Sequence, residues 1–121
     1  MLLRRGASDR GMATAEMAAA LPVLMLVLAV AVSAVDVVGA RIRLLDAARE
    51  VARAAARGDV AAGRTLAARD APAANVLVRR DGAEVVAVAA QRVHPLADWL
   101  PSVSLREQAV AAAEPGVSAP P

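Results

Sequence analysis

The chain has no cysteine, tyrosine, phenylalanine or lysine, and only one histidine and one tryptophan in 121 residues. Without cysteine there is no disulfide and no thiolate nucleophile, and the redox character of the compartment leaves no mark on the sequence. With His94 as the sole imidazole, a zinc site or a histidine-based catalytic pair would lack its other ligands and partners. No serine has a base at a recognisable spacing, and no phosphate-cradling glycine loop occurs. We therefore read the chain as no enzyme, with no metal and no cofactor. The shortage of aromatics also limits any interior. Trp99 is expected to anchor a small head, since no second ring is present to complete a ligand cage or stacking surface.

One long apolar run is present. From Met17 to Val35 no side chain is charged and Ser33 alone is polar. At a helical rise of 1.5 Å per residue these positions extend about 28 Å, close to the roughly 30 Å hydrocarbon core of a bilayer. Glu16 stands at the mouth of the run, five residues after Gly11. A carboxylate in or near hydrocarbon costs on the order of 2.5 to 3.5 kcal/mol on insertion scales, so such an acid marks a candidate functional site whose natural partner is an amine. The plainer reading is an acid favoured by the positive end of a helix that starts at Met17. Pro22 inside the run marks either a kink used in assembly or a passive one. Val32-Ser33-Ala34 would suit signal peptidase I, which makes an ordinary secretory signal or signal anchor the alternative, with a small tethered or secreted binding module behind it. Against it, the apolar run of 19 residues exceeds the roughly 7 to 15 of a usual signal core.

A basic leader, Gly11, four residues, Glu16 and an apolar helix together resemble the prepilin-peptidase signal of type IV pilins and pseudopilins. Ala20-Leu21-Pro22 inside the helix, the Arg41 to Arg57 segment with its Ala-Ala-Arg-Glu core, and a closing Glu114-Pro115 resemble the TadE-like pseudopilins of the tight-adherence (Tad) branch. Met12 stands where most pilins have phenylalanine, a departure that the small Tad pilins tolerate. The resemblance implies that residues 1–11 are a leader, that a prepilin peptidase cuts between Gly11 and Met12, and that Glu16 pairs with the α-amine of Met12 to set subunit register. It implies a minor pilin or pseudopilin assembled into, or at the tip of, a Tad-type pilus. The partners it implies are the peptidase, other pilin or TadE/TadF-like subunits, the Tad assembly platform and the lipid bilayer.

The isoelectric point near 10.9 invites a nucleic-acid reading. Removing the leader takes away Arg4, Arg5, Arg10 and Asp9. That leaves 14 minus 3, or 11, arginines against 12 minus 1, or 11, acids, and no surplus for nucleic acid. The basic flank before the apolar run predicts a single-pass protein with its N-terminus in the cytoplasm and its head outside.

After Val35 the helix is expected to continue, with Ile42, Leu45, Ala48, Ala52 and Ala55 recurring on one face and Arg49, Arg53 and Arg57 on another. The arginine row is read as a solvated face, its sharper alternative being contact with acidic groups of neighbouring subunits or lipid headgroups. Gly58-Asp59 gives a stop and a new cap, so a short helix is expected over Val60 to Arg69. Asn75 to Arg80 and Ala83 to Val93 flank Asp81-Gly82, a hairpin turn signal, and Ser102 to Ala113 reads as a third antiparallel strand or a weak helix, of which the resemblance to the TadE-like family favours the strand. The expected fold is α+β: a transmembrane and amphipathic stalk helix over 12–57, a small antiparallel sheet in a head over 58–115, and a disordered tail over 116–121.

Overall fold

The computed structural model describes residues 8–116, with side chains from Gly11 onward. The expectations for most of the leader and for the tail beyond Gly116 fall outside the described residues. Two helices precede three strands: α1 Ser8–Ala56, α2 Val60–Asp70, β1 Asn75–Asp81, β2 Glu84–Val93 and β3 Val103–Ala112. The α+β architecture is the expected one.

Helix α1 is continuous for 49 residues and passes through Pro22, a length of about 73 Å. It begins before Met17, because Gly11 alone weakens the helical run between Ser8 and the apolar segment. Its end is fixed by backbone chemistry. Gly58 takes a φ of 85°, its N–H bonds to the Ala55 carbonyl at 3.0 Å, and the Asp59 N–H bonds to the Ala54 carbonyl at 2.9 Å. This is a Schellman closure, in which glycine supplies the left-handed conformation without a Cβ clash. Asp59 then caps α2, its carboxylate accepting the Ala62 N–H at 3.0 Å.

Helix α2 folds back along α1 and leads into an antiparallel sheet of order β1-β2-β3. The hairpin turn lies one residue further along than the sequence suggests. Asp81 pairs with Glu84, so Gly82 and Ala83 form the turn instead of Asp81-Gly82, with Gly82 at a φ of 60°. The third segment is a full strand, registered on β2 from Val93↔Val103 to Glu84↔Ala112.

The core lies between the outer half of α1, α2 and one face of the sheet. Its α1 contribution is Ala40, Leu44, Ala47, Ala48, Val51, Ala52 and Ala55, and its strand contribution centres on Ala87 and Ala89 of β2. Small side chains let helix and sheet approach closely, and Leu44 and Val51 are the largest residues fully enclosed. Two expectations need correction. Ile42 is 57% exposed while Leu44 is buried; the two are about 200° apart around the helix, and the buried stripe runs through Leu44. Trp99 is 84% exposed and does not anchor the head. It rides on the β2–β3 connection, whose Pro95 and Leu96 line an apolar groove with α1.

The head has two poles. The Gly82 turn and the end of β3 lie at its distal pole, where the Glu114 N–H bonds to the Ala56 carbonyl at 3.0 Å. The β2–β3 connection lies at the opposite pole, beside the apolar part of α1.

Candidate anchoring and assembly site

Every side chain from Gly11 to Val32 is exposed, because α1 projects beyond the head, which reaches back only to a groove beside Val30. The 18-residue window of highest mean hydropathy in α1 reaches 2.6. Among the described residues this is the one helix long and apolar enough to cross a membrane. An alanine-rich sequence over residues 13–21 favours helix there, and from Met17 to Val32 apolar side chains cover the whole circumference of α1.

Gly11, Met12 and Glu16 lie within the first three turns of α1. Met12 and Glu16 are four residues apart, which puts them on one face. Helical side chains tilt toward the N-terminus, so the Glu16 carboxylate leans toward the turn that carries Met12. A new α-amine at Met12 would therefore arise within the reach of that carboxylate in the same chain, or in a staggered neighbour. Gly11 has no packing explanation: a Cβ built there meets nothing within 4 Å. A helical glycine costs roughly 0.5 to 1 kcal/mol relative to alanine, and among the described residues no packing contact at this position offsets it. Pro22 has no N–H to offer the Ala18 carbonyl, so one rung of the ladder is absent inside the apolar run.

At the other end of the run the geometry changes. Ser33 is buried, and its hydroxyl donates to the Ala29 carbonyl at 2.7 Å, which satisfies the one polar side chain of the segment. An apolar groove beside it is lined by Val30, Ser33, Val37 and Val38 on α1 and by Pro95 and Leu96 on the connection. Asp36 is exposed just past it. Sequence reasoning missed this groove, although the concentration of Pro95, Leu96, Trp99 and Leu100 in one loop was a readable signal.

The stalk arginines are engaged locally. Arg49 pairs with Asp46 at 3.5 Å and Arg53 with Glu50 at 3.2 Å, both one turn apart on α1. Arg41 pairs across to Glu107 on β3, which ties the stalk to the sheet. Exposed pairs of this kind contribute at most about 1 kcal/mol. His94 is exposed at the start of the β2–β3 connection. Among the described residues no group of three His, Cys, Asp or Glu side chains could hold a metal ion.

Residues 11–53 match the family described as "TadE-like protein", a stretch that contains Gly11, Met12, Glu16, Pro22 and most of the stalk. Over 105 residues the chain is 43% identical to the protein of Mycobacterium tuberculosis (strain ATCC 25618 / H37Rv) named "Apoptosis inhibitor Rv3655c", covering 86% of this chain and 81% of that relative. No solved structure matches the chain.

Proposed function

This chain belongs to the TadE-like family, and from that premise we propose that it is a minor pilin or pseudopilin of a Tad-type pilus, cleaved after Gly11 and inserted as a single-pass subunit. One observation carries the finer reading. Among the described residues, Gly11 and Glu16 sit on an exposed stretch of α1 and nothing stands within 4 Å of a Cβ built on Gly11, which supports reading a helix-weakening glycine and a lipid-averse acid as serving an interaction outside the folded head.

In this reading residues 12–57 form the spanning and stalk helix and residues 58–115 the extracytoplasmic head. A prepilin peptidase recognises the Gly11 end, which a helix yields most readily near its terminus because the first turn is held by the fewest hydrogen bonds. Cleavage creates the Met12 amine beside Glu16, and the two opposite charges enter a low-dielectric filament core together at less cost than either alone. The unpacked helix stores in the bilayer until extraction. It then packs through Ala18, Ala19, Ala29 and Ala31, which allow close helix approach without a hydrophobic driving force. The protein's work is assembly, with the assembly platform and other pilin-like subunits as partners.

The deciding experiment is N-terminal sequencing or intact mass of the protein recovered from its native membrane, with and without the host's prepilin peptidase. A peptidase-dependent start at Met12 is the expected result. A start at Val35, or an intact Met1 in the presence of active peptidase, would replace this reading with a tethered or secreted module.

A further inference from the structure

The β2–β3 connection holds the chain's one tryptophan, and holds it exposed. The Leu100 N–H bonds to the Ala97 carbonyl at 3.0 Å, closing a turn with Asp98 and Trp99 at its two central positions. Trp99 is 84% exposed and Leu96 is 48% exposed. A soluble head has no use for a bare indole at a turn apex, since burying an aromatic side chain stabilises a fold more than almost any other single residue.

The position of this turn along α1 gives it a use. Pro95 and Leu96 share a groove with Val30, Ser33, Ala34, Val37 and Val38. Asp36 is the first charge after the apolar run and marks its outer boundary. Ser33 and Val30 are three and six residues inside that boundary, or about 4.5 and 9 Å along the axis at 1.5 Å per residue. The connection therefore faces α1 across this groove at the level where an embedded helix leaves hydrocarbon. The polar layer of a bilayer leaflet is roughly 5 to 8 Å deep, and amphipathic interfacial elements sink to a similar depth.

We propose that the β2–β3 connection is a second membrane contact, with Trp99 and Leu96 inserted into the headgroup layer of the leaflet from which α1 emerges. The proposal rests on the reading of α1 as a membrane anchor. Indole suits this layer because its ring is apolar and its N–H still finds water or a carbonyl. Asp98, next to Trp99 and exposed, holds the turn at headgroup depth, and exposed His94 and Arg92 face the same polar layer. The contact fixes the head's rotation about the α1 axis. A lone spanning helix leaves that angle free, whereas a second point off the axis selects one, so the same face of every stored subunit meets the assembly machinery.

Trp99 is the only tryptophan and there is no tyrosine, so wild-type protein reports on this one site. Full-length protein would be reconstituted at high dilution into phosphatidylcholine vesicles and its emission measured with lipids brominated near the headgroup or near the chain ends. A parallel sample carrying Leu26→Cys, labelled with a polarity-sensitive dye in this otherwise cysteine-free chain, reports on the anchor. The expected result is a blue-shifted Trp99 emission, shielded from aqueous acrylamide and quenched more by shallow than by deep bromines, with the position-26 dye in hydrocarbon. A dye in hydrocarbon with Trp99 open to acrylamide and untouched by bromolipid would overturn the second contact and leave the anchor standing. Both probes in water would overturn both. A blue-shifted Trp99 that ignores bromolipid and reddens on dilution would assign the turn to a neighbouring subunit and also overturn the proposal.

Discussion

Gly63 is where helix packing can be tested against helix propensity. It is buried in α2, and a Cβ built on it would stand 2.6 Å from the Ala54 Cβ and 3.1 Å from the Val51 Cα. Carbon pairs rest at about 3.5 to 4.0 Å, so Gly63→Ala needs roughly 1 Å of separation at the first contact. Neither neighbour is the movable end of a long side chain, so α2 itself must shift away from α1. Helix propensity alone favours the substitution by about 0.5 to 1 kcal/mol, while overpacking of a close core contact costs about 1 to 3 kcal/mol. Sterics should win by about 1 kcal/mol, lowering the midpoint of head unfolding by roughly 4 to 8 °C for a domain of this size. The assay is thermal unfolding of the detergent-solubilised full chain by far-UV circular dichroism, where the head melts against a persistent helical baseline from the anchor. Pairing the change with Ala54→Gly should recover part of the loss, because the nearest clash is removed. A raised midpoint for Gly63→Ala alone would refute the claim that the helices are in limiting contact.

Three further outcomes follow from the same geometry. Glu16→Ala should leave membrane insertion unchanged or improved, while incorporation into pili, measured by immunoblot of sheared filaments, falls sharply; normal incorporation would remove the amine-pairing role. Leu44→Ala should destabilise the head by about 2 to 5 kcal/mol, since Leu44 is fully enclosed between α1 and the sheet, and a loss below about 1 kcal/mol in denaturant titration would mean that the core collapses around it. Asp59→Ala removes the acceptor for the Ala62 N–H and should cost about 0.5 to 2 kcal/mol. Its signature is faster amide exchange in the first turn of α2, with β2 protection reduced only by the global change; unchanged exchange at Ala62 would show that the cap is idle.

Much of this fold can be read from local chemistry. The apolar run, the Gly58-Asp59 stop and cap, and the three strand segments each carry a signal within a few residues, and each appears in the structure within one or two positions. The stalk face is harder to read because its interior is alanine. Alanine occurs on both sides of α1, so Ile42 looked like the better core residue until the sheet, sitting over Leu44, decided which side is inside. Trp99 misled for a related reason: aromatic residues in small heads are usually buried, and only the tertiary structure shows this one exposed on a connection whose Pro95 and Leu96 line a groove with the end of the apolar run. The Asp81-Gly82 signal located the hairpin but not its register, which cross-strand pairing moved by one residue to Gly82-Ala83. Gly11, Met12 and Glu16 are legible as a motif and share the exposed end of α1.

A single helix that serves as both anchor and backbone of the head has a mechanical consequence. With α1 continuous from Val35 to Ala56, the head is fixed to the end of a lever whose one proline, Pro22, lies deep in the anchor. From Pro22 to Ala56 the arm measures about 51 Å, so a bend of about 20° at the proline would sweep the distal pole sideways by about 17 Å. A change of packing around one residue within the membrane would thus be magnified into a displacement of half a domain's width at the far end of the head.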